Sequence, residues 1–174
     1  HDDKIFQLNT AINSNVSETW IIGLNTKSPV FKDIEQRRLF IKNIDREKFR
    51  KTFYPKSSAA TNIIPKGYLG NINSELKKSR LSRPHFKKVS LVVPKELEHA
   101  HLMAKELQID LESHGWQPVI EILPWDELMK RYVAKTMDAF LISMNIDYPD
   151  AMFLFNNFHS KNQDNFSQIN DEKL

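Results

Sequence analysis

The second half of the chain alternates short apolar runs with segments of helical periodicity. The apolar runs cover residues 89–93, 119–123 and 139–142, and each has the length and composition of a buried strand. Between the first two runs, apolar residues recur at helical spacing, and Gly115 stands where a helix end favours a left-handed residue. The apolar positions of this helix are Leu97, Ala100, Met103, Ala104, Leu107 and Leu111. The pattern predicts a β-α-β-α-β unit with three parallel strands.

The crossover between the second and third strands carries a shorter helical pattern. Asp126 is placed to cap this helix through its carboxylate. The expected buried face consists of Leu128, Met129, Tyr132 and Val133. We therefore expect a helix that begins just after Asp126 and packs these four side chains on the sheet.

The first half has a weaker pattern, with one strand and two helices. A run rich in strand formers over 19–26 predicts a strand that ends before a Ser-Pro pair. Helices are expected over 34–43, capped by Asp33, and over 46–53, capped by Asp45. The first half therefore adds one strand and two helices to the unit described above.

Composition limits the size and the chemistry of the protein. The 174 residues, 40% of them hydrophobic, suffice for one domain and one core. No apolar run is long enough to span a bilayer. The absence of cysteine excludes disulfides, thiolate catalysis and cysteine-held metals, and with only four glycines no phosphate-binding loop can be assembled. Residues 55–73, which hold two of those glycines and two prolines, predict a long ordered loop.

Charge is distributed unevenly along the chain. The net charge is +3, yet six basic residues and no acidic residue fall within 77–88, which leaves the remainder at −3. This stretch predicts a solvated helix followed by an entry loop to the next strand. It does not predict nucleic-acid binding, because Phe86 is the one aromatic residue among the cations.

Parallel sheets bind ligands beyond the carboxyl ends of their strands, so the loops there hold the candidate site. These loops begin at 94, 124 and 143. The third loop is the richest in polar groups, because it contains Asp147 and Asp150 ahead of an apolar segment that can start a helix. On the residues alone, either carboxylate is a helix cap or a ligand-binding group.

A series of short motifs in the chain resembles a known family. In chain order the series is Asn25-Thr26-Lys27, Pro29-Val30-Phe31-Lys32-Asp33, Arg37, Ile44-Asp45-Arg46, Ile64-Pro65 with Gly67, and Asp147-Tyr148-Pro149-Asp150. Its order and spacing over about residues 19–160 resemble the family 5 extracellular solute-binding proteins, the oligopeptide- and dipeptide-binding receptors of bacterial ABC importers. Members of that family are longer and two-lobed. The resemblance therefore implies that residues 1–174 form a single α/β lobe of the type II periplasmic-binding-protein fold, the second lobe of a larger protein.

The resemblance also implies a function, which is ligand capture without catalysis, cofactor or metal. The expected partners are a peptide or similar small solute and the membrane permease of an ABC importer, and the expected location is the periplasm or the extracellular face of a bacterial envelope. The family position that receives a peptide's ammonium group corresponds to Asp147. The remaining expected ligand-binding residues are Met144, Asn145, Ile146, Tyr148 and Trp125. Met144 stands where the family usually has tryptophan, and Ala151 stands where it usually has proline.

Other functions find less support in the sequence. A ligand-sensing or protein-interaction domain of a regulator that reuses the same lobe is the main alternative. Ser74 and Lys77 match the S-x-x-K signature of penicillin-recognising enzymes, but the accompanying S-D-N and K-T-G motifs are missing. His99 and His101 are two positions apart on a predicted helix, whereas a zinc pair needs a spacing of four.

Overall fold

The computed structural model describes residues 17–58, 60, 77–146, 157–162 and 165–169. The described chain forms four strands and four helices. In chain order they are β1 (Ser17–Leu24), α1 (Ile34–Lys42), α2 (Arg46–Phe53), β2 (Lys88–Pro94), α3 (Glu98–Ser113), β3 (Gln117–Leu123), α4 (Trp125–Ala134) and β4 (Ala139–Ile146). None of the described helices is long and apolar enough to cross a membrane.

The four strands form one sheet in the order β1-β4-β2-β3. β2 pairs in parallel with both β3 and β4, whereas β1 runs antiparallel to β4 over its whole length. The predicted parallel β-α-β-α-β unit is therefore confirmed, and so is the expectation that the first strand belongs to the same domain. The fold is a mixed α/β lobe with a largely parallel sheet.

Side chains that alternate in direction along the strands give the sheet two apolar faces. Val89, Leu91 and Val93 of β2 belong to a core with α1, α2 and α3, while Val92 belongs to a second core with Leu128 of α4. Successive side chains of a strand point to opposite faces, so one strand supplies both cores. The sheet is covered on both sides, as expected of a mainly parallel sheet.

The first two predicted caps are present, and the third is wrong. Asp33 accepts the backbone N–H of Glu35 at 2.8 Å, and Asp45 accepts that of Lys48 at 2.9 Å. Asp126 lies inside α4, whose cap position is occupied by Pro124 without a side-chain hydrogen bond. The carboxylate of Glu96 accepts the N–H of Trp125 instead, at 2.9 Å.

The predicted buried face of α4 is correct except at its end. Leu128 is buried, and Met129 and Tyr132 pack on the same core, but Val133 is 61% exposed. Val133 directly follows Tyr132 on the helix, and the 100° turn per residue carries it away from the sheet.

The predicted helix in the basic stretch is also wrong, because residues 77–87 form no helix and follow an irregular course with several bends. Ser79 donates its hydroxyl to the carbonyl of Glu35 at 2.9 Å, and His85 donates its N–H to the buried Gln36 side chain at 2.9 Å. Bonds to α1 thus replace the bonds that a helix would make internally. Of the predicted loop over 55–73, residue 59 and residues 61–73 lie outside the described residues.

Gly115 has the left-handed conformation that its position predicts, with φ of 88°. The chain turns there from α3 into β3. Trp116, next in sequence, is buried and packs edge-on against Phe40 at 5.2 Å between ring centroids. Trp116 is therefore a core residue.

Gly23 should tolerate no side chain. It pairs with Phe140 across β1 and β4, and a Cβ at position 23 would overlap the Phe140 ring. That ring cannot withdraw freely, because Tyr132 and Phe166 pack against it at 5.5 and 4.6 Å between centroids. We expect Gly23→Ala to lower the free energy of unfolding by about 1–3 kcal/mol in urea denaturation. In a Phe140→Leu background the cost should shrink, and an equal cost in both backgrounds would contradict the steric explanation.

Candidate functional site

The carboxyl ends of β2, β3 and β4 lie at one edge of the sheet, and β4 extends furthest. Leu91 pairs with Ala139, which sets Pro94 at the end of β2 level with Ile142. The last four residues of β4 therefore project beyond β2. Among the described strands, they pair with the first residues of the antiparallel β1.

The structure places four of the six predicted ligand-binding residues at this carboxyl edge. Met144 is half-buried in β4 opposite Thr19 of β1, and the backbones of Asn145 and Ile146 complete the strand. Trp125 begins α4 and is 43% exposed. Asp147 and Tyr148 lie outside the described residues, so their assignment stays a prediction.

Trp125 and Met144 lie at the same edge but at separate strands. Trp125 follows β3, and β2 lies between β3 and β4 in the sheet. Two strand spacings amount to about 10 Å. A ligand that contacts both side chains would have to span the end of β2.

The loop after β2 is held firmly to its neighbours. Lys95 donates its N–H to the carbonyl of Leu123 at 2.7 Å, and Glu96 accepts the N–H of Trp125. The His101 ring lies 3.1 Å from the carbonyl oxygen of Pro94. These bonds fix where α3 and α4 begin, and therefore the position of the exposed Trp125 side chain.

An aromatic cluster at the start of α3 was missed by the sequence analysis. Tyr54, the residue after α2, lies 6.2 Å from Trp20 of β1 and 6.0 Å from His99 between ring centroids. Its hydroxyl is 3.3 Å from Nδ1 of His99. Burial raises the pKa of Tyr54, and the nearby carboxylate of Glu18 raises it further. The hydroxyl of Tyr54 therefore stays protonated at neutral pH. The three rings are far apart in sequence, and only the fold brings them together.

His99 and His101 do not form a metal pair. His99 contacts Tyr54, while His101 contacts the end of β2, as expected from their spacing on one helix. Within the described ranges, no group of three or more His, Cys, Asp or Glu side chains could hold a metal ion.

The N-T-K motif lies at the opposite edge of the sheet, where it joins three segments. The buried Asn25 donates from Nδ2 to the carbonyls of Lys135 and Met137 at 3.0 and 3.1 Å. Its Oδ1 accepts the N–H of Lys27 at 3.0 Å and the side-chain amide of Gln168 at 2.6 Å. The motif therefore ties β1 to the start of β4 and to residues 165–169.

Arg37, also part of the resemblance, acts on the loop before α1. Its Nη1 donates to the carbonyls of Phe31 and Lys32. Burial lowers the pKa of this guanidinium, although Asp33 nearby favours the charged form. Lys27, Lys32 and Arg37 line an open groove of about 360 Å³, which lies away from the carboxyl edge.

Comparison with known proteins identifies the architecture. No protein-family model and no curated protein matches the sequence. Solved structures do match, among them the pheromone receptor PrgZ, a peptide-binding protein (18% identity, TM-score 0.76). Another is the oligopeptide-binding protein AppA from Bacillus subtilis, in complex with a nonapeptide (16% identity, TM-score 0.74). The chain shares their fold.

The match covers most of this chain but a much smaller share of each matched protein. It covers 90% of this chain and 36% of PrgZ, and 91% of this chain and 37% of AppA. The chain thus spans little more than a third of the length of these proteins. The type II periplasmic-binding-protein fold expected from the motif series is confirmed by this match.

The same fold also occurs in a protein crystallised with a different type of ligand. NikA from Brucella suis, in complex with Fe(III)-EDTA, matches at 16% identity with a TM-score of 0.73, over 88% of this chain and 36% of NikA. The neighbours are binding proteins, but the fold alone does not fix what is bound.

Replacing Glu96 should destabilise the start of α4 more than replacing Asp126. Glu96→Ala removes the acceptor for the Trp125 N–H and should cost about 0.5–2 kcal/mol, as loss of a helix cap does. Glu96→Gln keeps an oxygen acceptor and should cost less. Asp126→Ala is the matched control, since the one ion pair of Asp126 within the described part of the chain is with Lys130, at 3.8 Å on an exposed surface. Chemical denaturation ranks the three variants, and a larger loss for Asp126→Ala would contradict the assignment of the cap.

Asn25 should prove structural. Asn25→Ala leaves buried backbone groups unpaired, and because each such group costs about 1–3 kcal/mol, we expect a loss of about 2–4 kcal/mol in unfolding free energy. Asn25→Asp should be at least as harmful, since it places a carboxylate against two carbonyl oxygens. A near-neutral Asn25→Ala would show that the joint is held by other bonds.

Proposed function

We propose that the chain is one lobe of a two-lobed solute-binding protein that supplies an ABC-type importer with a peptide or similar small solute. The observation that carries this proposal is the fold match, which covers nine-tenths of this chain but 36% of a peptide-binding receptor. The motif series supports the same assignment. In this proposal the ligand is held between this lobe and a second one.

The ligand-facing surface of this lobe is the carboxyl edge of the sheet. β4 projects beyond β2 there, and Asp147 directly follows its last residue. A carboxylate enclosed by two lobes makes a strong charge-assisted hydrogen bond to an ammonium group. Met144 contributes an adaptable apolar wall beside it, with Asn145, Ile146 and Tyr148 as its sequence neighbours and Trp125 at the far side.

The proposal assigns binding, not catalysis, to the lobe. It implies a permease as partner and a location on the periplasmic or extracellular side of a bacterial envelope. The complete gene tests this directly, because a second lobe and an export signal would accompany a transport protein. A DNA-binding domain in the same gene would instead support the alternative role in regulation.

The lobe on its own should bind peptides poorly. The second lobe supplies half of the contacts and excludes water, so the isolated chain offers an open surface rather than an enclosed site. We expect calorimetry to give much weaker peptide binding for the 174-residue chain than for the complete protein. Micromolar or tighter binding by the isolated chain would contradict the two-lobed proposal.

Asp147→Asn separates a ligand-binding role from a capping role. As a cap, asparagine is nearly equivalent to aspartate, so stability and affinity should both stay unchanged. As the partner of an ammonium group, the change should preserve the melting temperature but weaken peptide binding by about 2–5 kcal/mol, roughly 30-fold to several thousand-fold.

The measurement is calorimetry on the complete protein, with Asp150→Asn as the matched control three residues away. We expect the control to bind like the parent protein. Unchanged affinity of Asp147→Asn for the physiological peptide would remove this residue from the site.

A further inference from the structure

The basic stretch at residues 77–88, here called the basic strip, presents an unusual surface. Its cations are Lys77, Lys78, Arg80, Arg83, Lys87 and Lys88, and all six are exposed. None of them forms an ion pair with another described residue. The Glu35 carboxylate accepts the backbone N–H of Arg80, and it already forms an ion pair with Arg38. Glu35 also lies close enough to Arg80 for the two charges to attract each other. Among the described residues the strip therefore carries a clear excess of positive charge.

The strip is held in place by its backbone and its uncharged side chains, not by its cationic side chains. Ser79 and His85 are bonded to α1, the side chain of Gln36 lies 3.4 Å from the carbonyl of Phe86, and Pro84 is buried. Lys88 then enters β2. Because these contacts involve no charged group of the strip, the cations are free to meet a partner without any rearrangement of the fold.

The strip also carries one exposed apolar group. The Phe86 side chain is 52% exposed, and cationic residues precede and follow it in the sequence. Phenylalanine beside Lys and Arg is a combination found on surfaces that insert an apolar side chain at a boundary between polar and apolar media. The strip therefore combines positive charge with an apolar group that can enter such an interface.

We propose that the basic strip docks on a lipid bilayer surface that carries anionic headgroups. Clusters of four to eight Lys and Arg residues are attracted to such surfaces, and an aromatic side chain adds apolar contact at the headgroup boundary. The six charges are distributed over the twelve residues of a bent, exposed segment, so they can meet several headgroups rather than one ion. This role is separate from solute binding and does not depend on the proposed ligand.

Nucleic acid and free phosphate fit the strip less well. Single-stranded nucleic acid is usually bound by several stacked aromatic side chains, whereas Phe86 is the only aromatic residue among these cations. A single phosphate is bound best where donors converge, but the six cations are exposed and spread along the strip. A surface of dispersed negative charge is the better match.

Vesicle sedimentation tests the proposal with the chain as it stands. We expect binding to vesicles of phosphatidylglycerol and phosphatidylcholine in equal parts, weaker binding as salt is raised, and none to phosphatidylcholine alone. The strip variant combines Lys77→Gln, Lys78→Gln, Arg80→Gln and Arg83→Gln. At about fivefold per charge, the removal of four charges should reduce vesicle affinity by roughly several hundred-fold.

The matched control removes the same charge from elsewhere on the surface. It combines Lys51→Gln, Lys56→Gln, Lys105→Gln and Lys161→Gln, all at exposed lysines. We expect a much smaller loss than for the strip variant, with both variants retaining the circular dichroism spectrum of the parent. Equal losses for the two variants would overturn the proposal, because net charge alone would then explain binding.

A fluorescent probe locates the contact. The chain has no cysteine, so His85→Cys and the control Lys105→Cys can each be labelled at one site with a polarity-sensitive dye. We expect a blue shift with anionic vesicles only for the label beside Phe86. No shift at position 85, or competition by inorganic phosphate or single-stranded DNA at concentrations below those of the lipid, would overturn the assignment to a bilayer.

Discussion

The lobe depends on the pairing of β4, the strand that joins the antiparallel and parallel parts of the sheet. β4 bonds to β1 along its whole length on one side and to β2 on the other. Its alternate residues serve both cores, since Leu141 packs with α1 to α3 while Phe140 packs with α4. Phe140 fits only because its partner on β1 is a glycine. The contact between Phe140 and Gly23 therefore constrains the register in which the two halves of the chain meet.

This arrangement separates stability from ligand contact along one strand. The first residues of β4 are buried between β1 and β2, and Asn25 fixes the turn before them through the carbonyls of Lys135 and Met137. Past the end of β2, the side chains of Ser143 and Met144 are partly buried and belong to neither core. Core packing therefore constrains these two side chains less than those at the start of β4, which is compatible with the proposed binding function.

The sequence predicted the features that depend on neighbouring residues. The three apolar runs, the Asp33 and Asp45 caps and the turn at Gly115 are all set within a few positions, and the structure confirms them. The failures involve partners that are distant in sequence. Glu96 reaches α4 from the preceding crossover, and the Gln36 side chain bonds to the basic strip at His85. Likewise, the Tyr54 and His99 rings meet only after α2 and α3 have packed.

The same distinction explains how the fold persists at 14–18% sequence identity to its structural neighbours. The alternating apolar positions of β2 and β4 require only hydrophobic residues of suitable size, so many sequences satisfy them. The carboxyl edge has no such requirement, and its residues can follow the ligand. Met144, which stands where the resembling family has tryptophan, lies at that edge rather than in the core. In the proposed function, the fold sets the place of the ligand at this edge, and the side chains at the end of β4 decide which ligand is bound.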